Sequence, residues 1–217
     1  MRRTKEDAEK TRAAILLAAE VLFLEKGVAH TTLEQIARHA GVTRGAVYWH
    51  FRNKADLFHA MISQVRLPPE QLTERLRSCD REQPLRPLRD LCIEAIENLA
   101  RAEQRRRIFT ILLHRCEFTD ELREAEERHN AFIASFIELS EQLFECVHRQ
   151  GQLHPAVTPH QAAQALHGLI LGLFSDWTRD PSQFDPLTDT SSLIDALFRG
   201  LVRDWNPAVD AQATATS

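Results

Sequence analysis

The segment Thr31–Lys54, TTLEQIARHAGVTRGAVYWHFRNK, gathers the side chains best suited to chemistry on a partner. Thr43, Arg44, Gly45, Tyr48, Trp49 and His50 supply hydrogen-bond donors, a charged fork and flat rings, with no acid among them. That chemistry suits a nucleic-acid duplex, where phosphate contacts give affinity and base edges give sequence preference. Arg44 is assigned to a guanine edge, because its guanidinium can span O6 and N7 in the major groove. Gly45 lets the start of a helix come close to the bases, and Tyr48 can lie against a base or a thymine methyl. Trp49 is open to two readings, a backbone contact or packing. A helix carrying Tyr48, Trp49, His50 and Phe51 in succession must turn some of them outward.

Three short helices must hold these residues. Thr31 and Glu34 stand in S/T-x-x-E spacing, which predicts a reciprocal cap at a helix start. Leu33, Ile36, Ala37 and Ala40 give that helix an apolar side, and Gly41 is placed to end it in a left-handed conformation. Thr43 caps the second helix, whose Val47 and Phe51 share a face, and Asn53 caps the third with Asp56 in its first turn. Ala37, Gly41 and Val47 have helix-turn-helix spacing: a small residue at the crossing, a turn glycine and a buried aliphatic. A helix over about 6–26, with Ile15, Ala18, Leu22 and Phe23 in register and Gly27 at its end, backs the motif. Arg2 and Arg3 form a basic arm that either reaches phosphates or the minor groove or is a solubilising extension.

The rest of the chain reads as helices. The helix from Asn53 continues through Leu57, Met61 and Val65, then must break or bend at Pro68-Pro69. Further apolar stripes mark helices near 88–99, 108–112 and 119–150. Thr158-Pro159-His160-Gln161 is a capping box that opens a helix to about 178, and a last helix covers about 189–205. The 159–178 helix is apolar around more than half its circumference, so one side is assigned to the core and the other to a four-helix contact with a second copy. The dimer face is placed at Ala163, Leu166, Ile170, Phe174, Trp177, Leu193, Leu197 and Leu201, with Gly168 and Gly172 leaving a flat strip.

Composition narrows the function classes. The net charge of −4 divides into +4 over residues 1–54 and −8 over the remainder, as suits a chain that meets phosphate at one end. Cys79, Cys92, Cys116 and Cys146 have no C-x-x-C pairing, which predicts reduced cytosolic thiols and no metal site. No run of 18 apolar residues occurs, and acids interrupt the apolar N-terminal stretch, so a cytoplasmic protein without a membrane span is expected. Paired carboxylates, nucleophile–base spacing and a phosphate-cradling glycine loop are all missing from the pattern, which argues against an enzyme; no cofactor is expected.

GVTRGAVYWHFRNK, with KTRAAILLAAEVLFLEKGVAHTTLEQIA before it, resembles the DNA-binding domain of TetR/AcrR-type transcriptional repressors over about residues 4–60. MRRTKEDAEKTR and CEFTDEL at 116–122 look more narrowly like local repressors of multidrug efflux pumps. The resemblance implies phosphate contacts for Thr32, Thr43, His50 and Lys54, and a homodimer on a near-palindromic double-stranded operator. It also implies a pocket for a small hydrophobic ligand lined by Leu91, Cys92, Ala95, Phe109, Leu113, Phe136, His167, Ile170, Leu171 and Phe174. The expected architecture is all-α: a three-helix helix-turn-helix domain at 1–52, a larger helical ligand-binding and dimerisation domain at 53–205, and a loose tail at 206–217, with about nine helices. The expected function is a repressor released by a hydrophobic compound and controlling an efflux operon. The alternative keeps the DNA-binding mode but answers to an acyl or phenolic metabolite and controls a metabolic operon.

Overall fold

The computed structural model describes residues 5–65, 67–77, 83–117 and 122–206, so Arg2, Arg3, Cys79, Thr119, Asp120 and the tail beyond Asn206 lie outside the described residues. Ten α-helices and one π-helical turn, Ile111–Arg115, make up the described fold. Its residues divide into two compact units, one within 1–66 and 103–128 and the other within 67–102 and 129–217.

The first unit is built on α1 (Lys5–Lys26), which buries Ile15, Leu16, Ala18, Ala19, Leu22 and Phe23 along one side. Phe23 meets Phe58 of α4 (Lys54–Ile62) edge to face, with ring centroids 6.0 Å apart. Gly27 stops α1 at φ 86°, a conformation open to glycine at little cost. The chain then docks on the π-helical turn, Val28 N–H donating to the Arg115 carbonyl at 2.8 Å. Helix α2 (Leu33–His39) starts one residue later than its expected cap. Thr32, not Thr31, accepts from the Gln35 amide while the Gln35 side chain accepts from Thr32 N–H. Thr31 is buried instead, its hydroxyl donating to the Gly27 carbonyl at 2.8 Å. The two adjacent threonines offer the same hydroxyl to a cap, and register against α1 selects between them.

Helix α3 (Arg44–His50) is capped by Thr43, and α4 by Asn53, whose side chain accepts from the Asp56 amide at 2.8 Å. Helix α4 ends at Ile62, short of the expected Val65. The prolines therefore do not kink a continuous rod: they occupy the first two positions of a separate helix, α5 (Pro68–Leu76), where missing amide donors cost nothing. Helix α7 (Glu103–Thr110) also belongs to this first unit, as does the start of α8 (Arg123–Arg149).

In the second unit α6 (Leu85–Arg101) buries Leu88, Leu91, Cys92, Ala95, Ile96 and Leu99. It packs with α5, α9 (Pro159–Arg179) and α10 (Thr190–Leu201). The Thr158/Gln161 box opens α9 as expected. Helix α10 stops at Leu201, so Trp205 lies beyond it; its indole N–H turns back to donate to Asp195 at 3.2 Å.

Candidate nucleic-acid interface

Helix α3 is fixed from inside by Val47 and Phe51, both essentially buried. The Arg12 guanidinium of α1 lies 5.4 Å from the Phe51 ring centroid, adding a cation–π contact to that anchor. Between α2 and α3, Gly41 takes φ 67°, and Val42 N–H returns to the Ala37 carbonyl at 3.0 Å. This turn sets the angle at which α3 leaves α2. The remaining face carries Thr43, Arg44, Gly45, Tyr48 and Trp49, all exposed, with His50 half-buried at its edge.

Trp49 is 73% exposed, so packing accounts for little of it; its ring edge meets His50 at 4.6 Å between centroids. Arg44 donates from Nη2 to the Tyr48 hydroxyl oxygen at 3.3 Å, and its guanidinium carbon lies 5.4 Å from that ring's centroid. The hydrogen bond to Tyr48 raises the Arg44 pKa above its already high ordinary value. A Cβ built on Gly45 would meet nothing nearer than Thr43 Oγ1 at 3.9 Å. Glycine is therefore not required there by the chain's own packing, which leaves an external surface as the reason for its smallness. Thr32 and Thr43 are exposed, with their hydroxyl oxygens accepting from helix amides and their O–H groups available to a phosphate.

Lys54, expected to hold a phosphate, also has a role within the fold. It is half-buried, and Nζ donates to the carbonyls of Val28 at 3.0 Å and Ala29 at 3.4 Å, tying α4 to the segment after α1. Proximity along the sequence to α3 does not reveal these two carbonyl contacts.

The expected ligand-lining residues fall in both units. Leu91, Cys92, Ala95, Phe136, Ile170 and Phe174 are buried in the second, where His167 is half-buried with its ring centroid 6.3 Å from that of Phe136. Burial holds the His167 pKa below its usual value, so the imidazole is neutral at neutral pH. Phe109, buried, and Leu113, half-buried, belong to the first unit. Leu171 is 37% exposed and points away from a core lining.

The residues of the expected dimer face likewise divide between covered and exposed positions. Ala163, Leu166, Ile170, Phe174, Trp177 and Leu201 are already covered by their own chain. Leu193, Leu171, Gln164 and Ala196 are exposed, Leu197 is half-exposed, and Cβ atoms added at Gly168, Gly172 or Gly200 would enter open space. Periodicity identifies two apolar helices but not which stripe faces inward.

Two ion pairs, each built on a buried acid and a part-exposed arginine, carry no motif in the sequence. Glu20 of α1, 1% exposed, accepts from Arg107 of α7, which also reaches Glu103. Arg89 of α6 holds Asp195 of α10 by two bonds, 2.6 and 2.8 Å. The signal for both is an acid inside an apolar stripe, Glu20 between Leu16 and Phe23, and Asp195 beside Ile194 and Phe198.

Residues 15–61 match the model of the bacterial regulatory proteins of the tetR family, and residues 83–203 match the C-terminal region of the MAATS-type transcriptional repressors. The chain belongs to the TetR family. Within it, the regulator TtgR of Pseudomonas putida is 39% identical over 196 residues, 90% of this chain and 93% of TtgR. The crystal structure of NalD, described as the secondary repressor of the MexAB-OprM multidrug efflux pump in Pseudomonas aeruginosa, is 67% identical. It superposes with a TM-score of 0.79, covering 93% of this chain and 100% of NalD. A SmeT–triclosan complex is 34% identical with a TM-score of 0.72, covering 91% and 95% of the two chains. The α2–α3 arrangement is thus the helix-turn-helix of a TetR-family regulator. No described helix is long and apolar enough to cross a membrane.

Proposed function

We propose that this TetR-family protein is a cytoplasmic, homodimeric repressor of a multidrug efflux operon, released from a near-palindromic operator by a small hydrophobic compound. The observation that carries the reading is α3: an acid-free face of donors and rings left exposed on a helix whose other face is locked by Val47 and Phe51. A single recognition helix reads few base pairs, so two heads on a two-fold axis are required, about 34–36 Å apart or a multiple of that distance. The exposed strip of α9 and α10, centred on Gly168, Leu171, Leu193 and Ala196, is the proposed contact between copies.

The similarity to NalD supports the efflux assignment, and the complex of SmeT with triclosan supports a hydrophobic effector. In this chain Phe136, Ile170 and Phe174 supply apolar surface, with neutral His167 as a polar handle. An effector that favours a body conformation with wrongly spaced heads needs a coupling of only about 1–3 kcal/mol to release the operator. The test is a salt-titrated gel shift on the promoter region beside the protein's own gene, with and without triclosan. Sequence-selective retardation relieved by the compound is expected. Retardation equal on scrambled DNA would reject the repressor reading.

A further inference from the structure

The pairing of Arg44 with Tyr48 does more than place two donors on one helix face. Arg44 occupies the first position of α3 and Tyr48 follows four residues later, so the two side chains lie one above the other. Nη2 donates to the phenol oxygen at 3.3 Å while the guanidinium sits beside the ring, its carbon 5.4 Å from the centroid. Both residues are exposed, and the bond between their side chains links them directly. A free arginine has many rotamers to lose when it docks on a base, and ordering them weakens binding. Here one neighbour restricts them in advance. The phenol oxygen receives the arginine N–H, so the tyrosine's part is to hold the guanidinium in place.

We propose that Tyr48 is a positioning residue for Arg44: its hydroxyl and ring seat the guanidinium so that one guanine is read sharply, and its effect on base preference passes through the arginine. This rests on α3 being the DNA-reading helix, and it replaces an independent base contact by the tyrosine with a coupled pair. Tyr48→Phe keeps the ring and its stacking but removes the oxygen that receives the arginine.

The experiment is a double-mutant cycle by fluorescence anisotropy on a duplex selected from a random pool by the wild-type protein, with each base pair then substituted in turn. Wild type, Arg44→Ala, Tyr48→Phe and the double variant are compared, with thermal melts confirming equal folding. Tyr48→Phe is expected to lower discrimination about 3- to 10-fold at the same guanine that Arg44→Ala affects, and to change nothing further in the Arg44→Ala background. Losses that multiply in the double variant, a tyrosine effect at a different base pair, or unchanged discrimination in Tyr48→Phe would each overturn the positioning role while leaving α3 as the reading helix. Absence of any selected duplex, or an Arg44→Ala variant with wild-type discrimination, would overturn the DNA-reading assignment itself and the positioning role with it.

Discussion

At the scale of single residues, the interface separates side chains that belong to the fold from those that do not. Gly45 is the clearest case. A methyl group there has room within the chain, and alanine is the better helix former by up to about 1 kcal/mol. Gly45→Ala is therefore expected to melt no lower than wild type yet to bind its operator about tenfold more weakly or worse, because the added carbon meets the bases. Arg44→Ala is expected to cost about 1–3 kcal/mol and to blur preference at one base pair, as read by competition with substituted operators. Lys54 makes the contrast. Its ammonium is bonded to the carbonyls of Val28 and Ala29, so truncating it loosens the joint between α1 and α4 and is read first as lost stability.

At the scale of elements, the sequence was most legible where a cap or a turn has a local chemical cause. Gly27, Gly41, Thr43, Asn53 and the Thr158/Gln161 box each mark a boundary found in the fold, because a few neighbouring atoms decide it. It was least legible where long-range packing decides. Thr31 and Thr32 are equivalent as caps until α1 buries the first of them, and Pro68-Pro69 reads equally as a break or a bend until α4 is found to end at Ile62. The same limit applies to Leu171 and Phe174, both apolar and three residues apart on α9, one outward and one inward. The buried Glu20–Arg107 pair gives an element-level test. Removing the half-exposed guanidinium leaves a buried carboxylate without its charge partner, so Arg107→Ala is expected to lower unfolding free energy by about 1–3 kcal/mol in urea, and Glu20→Gln with Arg107→Met to recover much of it.

At the scale of the whole molecule, burial of histidine shapes the response to acid. His129 and His167 are both held below their ordinary pKa of 6.5 by desolvation. Below about pH 6.5 the unfolded chain binds protons that the folded chain resists, so stability is full above that pH and declines as pH falls through the window beneath it. Urea midpoints at pH 7.5 and 5.5 should show this drop, and His129→Gln with His167→Gln should make it shallower. The proposed assembly makes a separate demand. Ala196→Arg places a charge on the exposed strip of α10 without touching the core, and it is expected to shift the protein toward monomer in sedimentation and to abolish tight operator binding.

The most direct measurement of two heads gripping one duplex is the affinity for an operator whose half-sites are separated by about 5 added base pairs, half a helical turn. Rotating one half-site to the opposite side of the DNA leaves every base contact available to a single head but not to a rigid pair. Affinity is expected to fall to that for a single half-site; affinity equal to that for the parental operator would contradict the paired-head account.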